Sequence, residues 1–201
     1  MLIKPADFWL ILQIRRTEFF WALIALAGVV LLGTLHGILV AIVVSLVALA
    51  FQKANPPVRE LGRKPGTNVF RPRSKEHPED EIFPGLLIIQ LEGRVFFVNA
   101  GRIGEKMKAL ADKMEPKPKV VAIDVSGVPD LEYTALKMLI EAEKQERQRG
   151  VSVWLVGLNP DVLSVIKRSP LGDILGRERM HFNLELAVAK YLAAPLSETA
   201  A

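Results

Sequence analysis

Of the 201 residues half are hydrophobic, the formal net charge at pH 7 is +4, and there is no cysteine. Without cysteine there are no disulfides and no thiolate metal sites. The modest positive charge, with no basic cluster on a recognition element, argues against nucleic acid as a partner. The length suits a membrane segment plus one soluble domain of ordinary size.

Residues 1–18 mix Phe8, Trp9, Leu10, Ile11, Leu12 and Ile14 with Lys4, Asp7, Arg15, Arg16 and Glu18. The stretch is too short and too charged to span a bilayer, and it reads as an interfacial amphipathic segment among lipid headgroups. Arg15-Arg16 ahead of an apolar run containing Ala25-Leu26-Ala27 loosely resembles a twin-arginine export signal. The apolar run, however, continues to Phe51, which a cleaved signal has no use for.

Residues 19–51 carry no charge, and their clearly polar side chains are Thr34, His36 and Ser45. One continuous helix would measure roughly 50 Å, against a hydrocarbon core of ~30 Å. A break is available at Gly33-Thr34-Leu35-His36-Gly37, which gives two short passes, 19–32 and 35–51. Arg15 and Arg16 precede the stretch, Lys53, Arg59, Arg63 and Lys64 follow it, and the turn holds no Lys or Arg. The positive-inside rule then puts both ends in the cytoplasm. The expectation is a transmembrane helical hairpin in a plasma (inner) membrane. His36 falls in the turn, where a polar group costs little, so it predicts a turn residue and not a proton relay. Gly28, Gly33 and Gly37 predict close helix packing.

Residues 52–84 hold six prolines and charges of both signs without hydrophobic periodicity, the pattern of an extended cytoplasmic linker. Gly62-Arg63-Lys64-Pro65-Gly66-Thr67 has the letters of a phosphate loop in the wrong order. From 85 to 195 the pattern is that of an α/β domain, followed by a tail at 196–201. Strands 86–91 and 94–98 read as a β-hairpin through Glu92-Gly93. Asn99 then caps a helix over 100–114, with Ile103, Met107 and Leu110 on its buried face. Residues 120–124 are a short apolar strand ending in Asp124. The helix over 131–149 has Leu131, Ala135, Leu136, Leu139 and Ala142 as its buried stripe and Lys137, Glu141, Glu143, Lys144 and Arg147 outside. Strand 151–156 comes next, then a helix begun by Asn159 or Asp161, a short strand at 180–182 and a last helix at 183–192. Alternation of strand and helix implies a single mixed sheet with parallel neighbours and right-handed crossovers.

Ligand sites in open α/β sheets form beyond the carboxyl ends of the strands. That edge includes Asp124, Ser126, Asp130, Glu132 and Thr134, and Asn159 and Asp161 make a second candidate ligand edge. Thr134 at a helix start would tolerate a phosphate through the free N–H groups and the helix dipole. The bland alternative has Asp124 and Ser126 bonding loop N–H groups and Asp130 capping the helix. The soluble part has neither Ser-His-Asp order nor G-x-S-x-G, metal-ligand spacing or G-x-G-x-x-G after a strand. Neither catalysis nor a cofactor is expected.

DVSGVPDLEYTAL, from Asp124 to Leu136, resembles the signature loop of STAS domains (sulfate transporter and anti-sigma factor antagonist), matching at Asp124, Ser126, Val128, Leu131, Thr134, Ala135 and Leu136. Glu132 stands where that family usually has Asp. The runs RRTEFFWALIALAG and LLGTLHGILVAIVVSLVALAFQ, the LGRKPGT segment and PGLLIIQLEGRVFFVNA are similar to the C-terminal third of SulP-family anion permeases. The resemblance implies a membrane hairpin followed by a cytoplasmic STAS domain that serves assembly and regulation. It implies as partners the lipid bilayer and the remaining membrane helices of a permease or a second subunit, with a homodimer or a cytoplasmic regulatory protein as further partners. The earlier membrane helices of that family are missing from this sequence. The alternative is a membrane-tethered regulatory module without transport, with Thr134 as phospho-acceptor by likeness to anti-sigma-factor antagonists. Tyr133 departs from the small residue often beside that acceptor.

Overall fold

The computed structural model describes residues 9, 12–14 and 16–193. The interfacial segment expected at 1–18 lies mostly outside the described residues, and the tail at 196–201 wholly so. The chain divides into two compact units, Met1–Lys53 and Ala54–Ala201.

In the first unit, α1 runs over Arg16–Ala54 and breaks at Gly33, whose φ of 76° and ψ of 166° are non-helical. Glycine reaches that region without steric cost, which is why the break falls there. On either side the chain returns on itself. A Cβ on Gly28 would lie 3.5 Å from Val40 Cγ1, and one on Gly37 would lie 2.3 Å from Val29 Cα. Residues 28 and 40 of an unbroken helix would stand ~18 Å apart. Gly37 thus admits a backbone approach that no larger residue allows, while a Cβ on Gly28 would make an ordinary contact. Most other side chains of both arms are exposed, Val30, Leu31 and Leu35 among them. Thr34–Phe51 is long and apolar enough to cross a membrane, and Phe19–Leu31 is apolar but shorter.

The second unit is built on one six-stranded sheet. Its strands are β1 Val58–Arg63, β2 Phe70–Pro72, β3 Leu86–Glu92, β4 Val120–Gly127, β5 Ser152–Val156 and β6 Met180–His181, in the order β2-β1-β3-β4-β5-β6. β3, β4, β5 and β6 are parallel neighbours, while β1 joins β3 and β2 antiparallel. The helices are α2 Ala100–Lys113, α3 Tyr133–Gln148, α4 Pro160–Lys167, α5 Pro170–Leu175 and α6 Leu184–Ala193.

Side-chain alternation gives the sheet two buried faces. Leu87, Ile89, Val121, Ile123, Val153 and Leu155 pack under α2 to α5. Ile88, Val120, Ala122, Trp154 and Val156 pack under Leu184, Ala187, Val188 and Tyr191 of α6. Both faces being covered explains why β3 to β5 read as continuous apolar runs.

Several expectations need correction. Residues 52–84 are no bare linker, since they supply β1 and β2. Those strands lack periodicity because charged pairs line them: Arg59 with Glu92 at 2.7 Å, Arg73 with Glu60 at 2.6 Å, and Arg71 with the buried Asp80 at 2.7 Å. Gly62 to Thr67 closes the β1–β2 turn through Lys64 N to Val69 O at 2.9 Å. The antiparallel partner of β3 is therefore β1 and not 94–98. At Gly93 (φ 87°) the chain leaves the sheet, with its N–H on Gly127 O at 2.8 Å, and only Val95 makes a bridge, to Leu131. On α3, Ala142 is exposed and Glu143 is buried. The reason is Arg179, whose Nη1 donates to Glu143 Oε1 at 3.0 Å. The short helix α5 is an addition. Ser169 caps it, accepting from Leu171 N, with Pro170 at its first position.

Candidate functional site

The loop after β4 is held from below by its own side chains and from both flanks by neighbouring loops. Asp124, 7% exposed within β4, accepts from Ser126 N at 3.0 Å, an Asx-type contact. Val128 N donates to Val125 O at 2.9 Å, and Val128 is itself buried. These contacts turn the chain sharply out of the sheet and leave Ser126 exposed.

The loop after β5 closes over this turn. Gly157, at φ +70°, sits so near that a Cβ there would lie 2.9 Å from Ser126 Cβ and 3.1 Å from Asp124 Oδ1. Only glycine satisfies both the positive φ and the close approach. Asn159 completes the link. Its Nδ2 donates to Val128 O at 2.7 Å and its Oδ1 accepts from Val162 N at 2.9 Å, so one side chain both caps α4 and ties two loops. Asp161 stands exposed in the first turn of α4 and makes no such link.

The second flank is the 93–99 loop. Arg94 Nη2 pairs with Asp130 Oδ2 at 2.8 Å and Glu132 Oε1 at 3.3 Å. Asn99 is fully buried. Its Oδ1 accepts from Phe96 N at 3.0 Å and its Nδ2 donates to Arg94 O at 2.9 Å, so it shapes the loop and does not cap α2 by its side chain. Likewise Asp130 is engaged by Arg94 and does not cap α3, where Glu132 holds the cap position without a side-chain bond. Thr134 lies exposed in the first turn of α3, beside exposed Tyr133.

The edge thus brings Asp124, Ser126, Val128, Asn159 and Glu132 into one braced ridge, presents Thr134 on its surface, and leaves Asp161 outside. Gly157 falls in the turn after β5 that the sequence places on this edge, and the role of Arg94 as a brace is visible only in the fold. His181 reaches the same edge through its backbone, accepting from Gly157 N at 3.0 Å, but its ring packs on Trp154 with centroids 4.7 Å apart. Burial, and then Lys190, hold the His181 pKa below its ordinary value. The ring is neutral and turned into the core, away from the ridge hydroxyls. The ridge presents the exposed Ser126 and Thr134 hydroxyls on a frame braced by Asp124, Asp130, Glu132 and Asn159.

A mixed sheet whose β4 ends in this braced loop defines the class of protein. A family model described as the STAS domain matches residues 77–189, and the chain belongs to that family. It is 26% identical over 190 residues to High affinity sulfate transporter 2 of Stylosanthes hamata, a match covering 90% of this chain and 28% of that protein. It is 26% identical over 187 residues to Sulfate transporter 1.3 of Arabidopsis thaliana, covering 89% and 28%. The solved structure of the murine Solute Carrier 26 family member A9 anion transporter in the inward-facing state superposes with a TM-score of 0.82 at 17% identity, covering 96% of this chain and 31% of that one. The SulP resemblance read from the sequence therefore runs through both units, while the chain spans under a third of the length of the relatives it matches.

Proposed function

We propose that the chain is the membrane and STAS module of a sulfate-type inorganic anion transporter. One observation carries this reading: the similarity to sulfate transporters covers about 90% of the chain and so includes α1 as well as the STAS unit. In this reading α1 crosses the bilayer as a hairpin. Its arms, 16–32 and 34–54, are ~26 and ~31 Å long by helical rise, close to the ~30 Å core. The turn at Gly33 lies at the far interface, and the positive-inside rule puts Arg15, Arg16, Lys53 and the STAS unit on the cytoplasmic side. Two helices enclose no transport path, so the hairpin packs with further membrane helices that hold most of the anion site. The STAS unit serves assembly and regulation.

Purified chain in liposomes is expected to take up no sulfate, whereas co-reconstitution with the complementary helices of a permease restores uptake. Sulfate uptake by the purified chain alone overturns the reading.

A second reading is favoured by Thr134, which stands exposed in the first turn of α3, where free N–H groups and the dipole stabilise a phosphate. There the chain is a membrane-tethered STAS regulator switched at Thr134. Phosphopeptide mapping that finds Thr134 unmodified beside a competent kinase argues against it.

A further inference from the structure

α2 and α3 lie on the same face of the sheet but are held from opposite sides. Lys106 of α2 donates to Asn55 Oδ1 at 2.6 Å and to Pro56 O at 3.0 Å, just before β1. Glu143 of α3 takes its bond from Arg179, just before β6. Gly104 and Ala111 on α2 and Ala142 on α3 line the seam with little side chain, and a Cβ on Gly104 would meet nothing within 4 Å. The seam therefore stays open as a groove of about 360 Å³ above the sheet residues Ile123 and Leu155, which are themselves buried. That volume is at the lower end of the ~300–1,000 Å³ of small-molecule sites, and the apolar floor with a few polar groups at the mouth is their usual make-up. A helix does not fit; a single slender molecule does. Met107 and Met138 line the walls, and their unbranched thioether chains adapt to a guest.

The mouth decides the chemistry of the head. Glu105 and Lys108 on α2 and Glu141 and Gln145 on α3 line it and are exposed. Glu143 and Glu146, also in the lining, are already paired with Arg179 and Arg149. Among the described residues Glu105, Glu141 and Lys108 have no ion pair, which leaves two carboxylates to one ammonium. We propose that this groove binds a single-chain amphiphile with a cationic head, of the class of long-chain primary amines. The tail lies between α2 and α3 on the sheet, and the ammonium sits between Glu105 and Glu141.

The test uses the full chain in lipid nanodiscs, with diazirine-bearing decylamine and decanoate as photolabels and peptide mapping as readout. The amine is expected to label peptides of α2 and α3 about fivefold more than the carboxylate does, as one solvent-exposed charge contact allows. Gly104→Leu and Ala142→Leu, both at exposed helix positions, are each expected to cut labelling of α2 and α3 at least fivefold by filling the groove. Labelling of α1 by the same probe stays constant and serves as the internal standard. Glu105→Gln with Glu141→Gln is expected to remove the preference for the amine while decanoate labelling holds or rises. Equal labelling by both probes overturns the proposal, and so does labelling of α2 and α3 that neither leucine substitution reduces.

Discussion

Replacing Arg179 with alanine breaks a charged pair of the STAS unit in which the carboxylate is fully enclosed. The Glu143 side chain is 1% exposed and that of Arg179 25%, with Nη1 3.0 Å from Oε1. Oε2 has no hydrogen-bond donor, and its nearest other cation is Arg147 Nε at 3.9 Å. Deleting the guanidinium leaves a desolvated carboxylate, a change worth ~3–5 kcal/mol. Arg179 still touches solvent, so the lower figure applies, about 3 kcal/mol or roughly a hundredfold in the unfolding constant. The loss of Nη2 to Ile174 O, at 2.5 Å, adds about 1 kcal/mol. Pulse proteolysis of the full chain in nanodiscs across a urea series reads the shift. Glu143→Leu with Arg179→Met, which removes both charges, is expected to recover most of the stability. A loss under ~1 kcal/mol for Arg179→Ala, or a double variant no better than the single one, would refute this account of why Glu143 is inside.

Asn159→Ala removes both the α4 cap and the tie to Val128 O, and is expected to cost ~1–2 kcal/mol; hydrogen exchange should quicken at Val162 N and in the loop around Val128. Gly28→Cys with Val40→Cys places two sulfurs on positions whose Cβ atoms lie 3.7 Å apart, within disulfide range. Mild oxidation should give an intrachain crosslink by mass spectrometry, and its absence would mean the arms of α1 do not fold together. Two acid steps in stability are expected. His181 has a folded pKa lowered by burial and then Lys190, so its contribution is present above ~6.5 and declines as the pH falls below that value. His181→Phe should abolish this step. Asp80 is held below the usual carboxylate range, first by the hydrogen bonds from Arg71, against the opposing effect of burial. Its contribution is present above ~4 and is lost on further acidification. Asp80→Asn should remove this lower step from the pH dependence of the urea midpoint.

Where burial follows sequence period, the fold was legible. The apolar runs at 86–91, 120–124 and 151–156 became the parallel core because both their faces are covered. Gly33 ends the first arm of α1 by taking a φ of 76°, which glycine reaches without steric cost. The site was legible in its motif, Asp124 to Leu136, and in Asn159 as cap. What stayed hidden depends on partners distant in sequence. β2 at the sheet edge and β1 beside it are stabilised by charge pairs, so their residues look like linker until Glu81 and Glu92 are in place. Glu143 looks like an outward residue of α3 until Arg179, 36 residues later, arrives. Arg94 looks like a strand residue until Asp130 and Glu132 come beside it.

The charged make-up of β1 and β2 also bears on the order in which the chain assembles during synthesis. The two strands form a local antiparallel pair, with Arg63 opposite Phe70, joined by a short turn, and can pair as soon as they leave the ribosome. Their polar edge recruits no neighbouring chain while it waits. β3 to β5 are apolar runs that would aggregate if left unpaired, and they emerge afterwards. Each enters a sheet already begun: β3 docks on β1, and β4 and β5 extend it in order. The stretch of lowest apolar content is thus the template on which the hydrophobic strands are laid down.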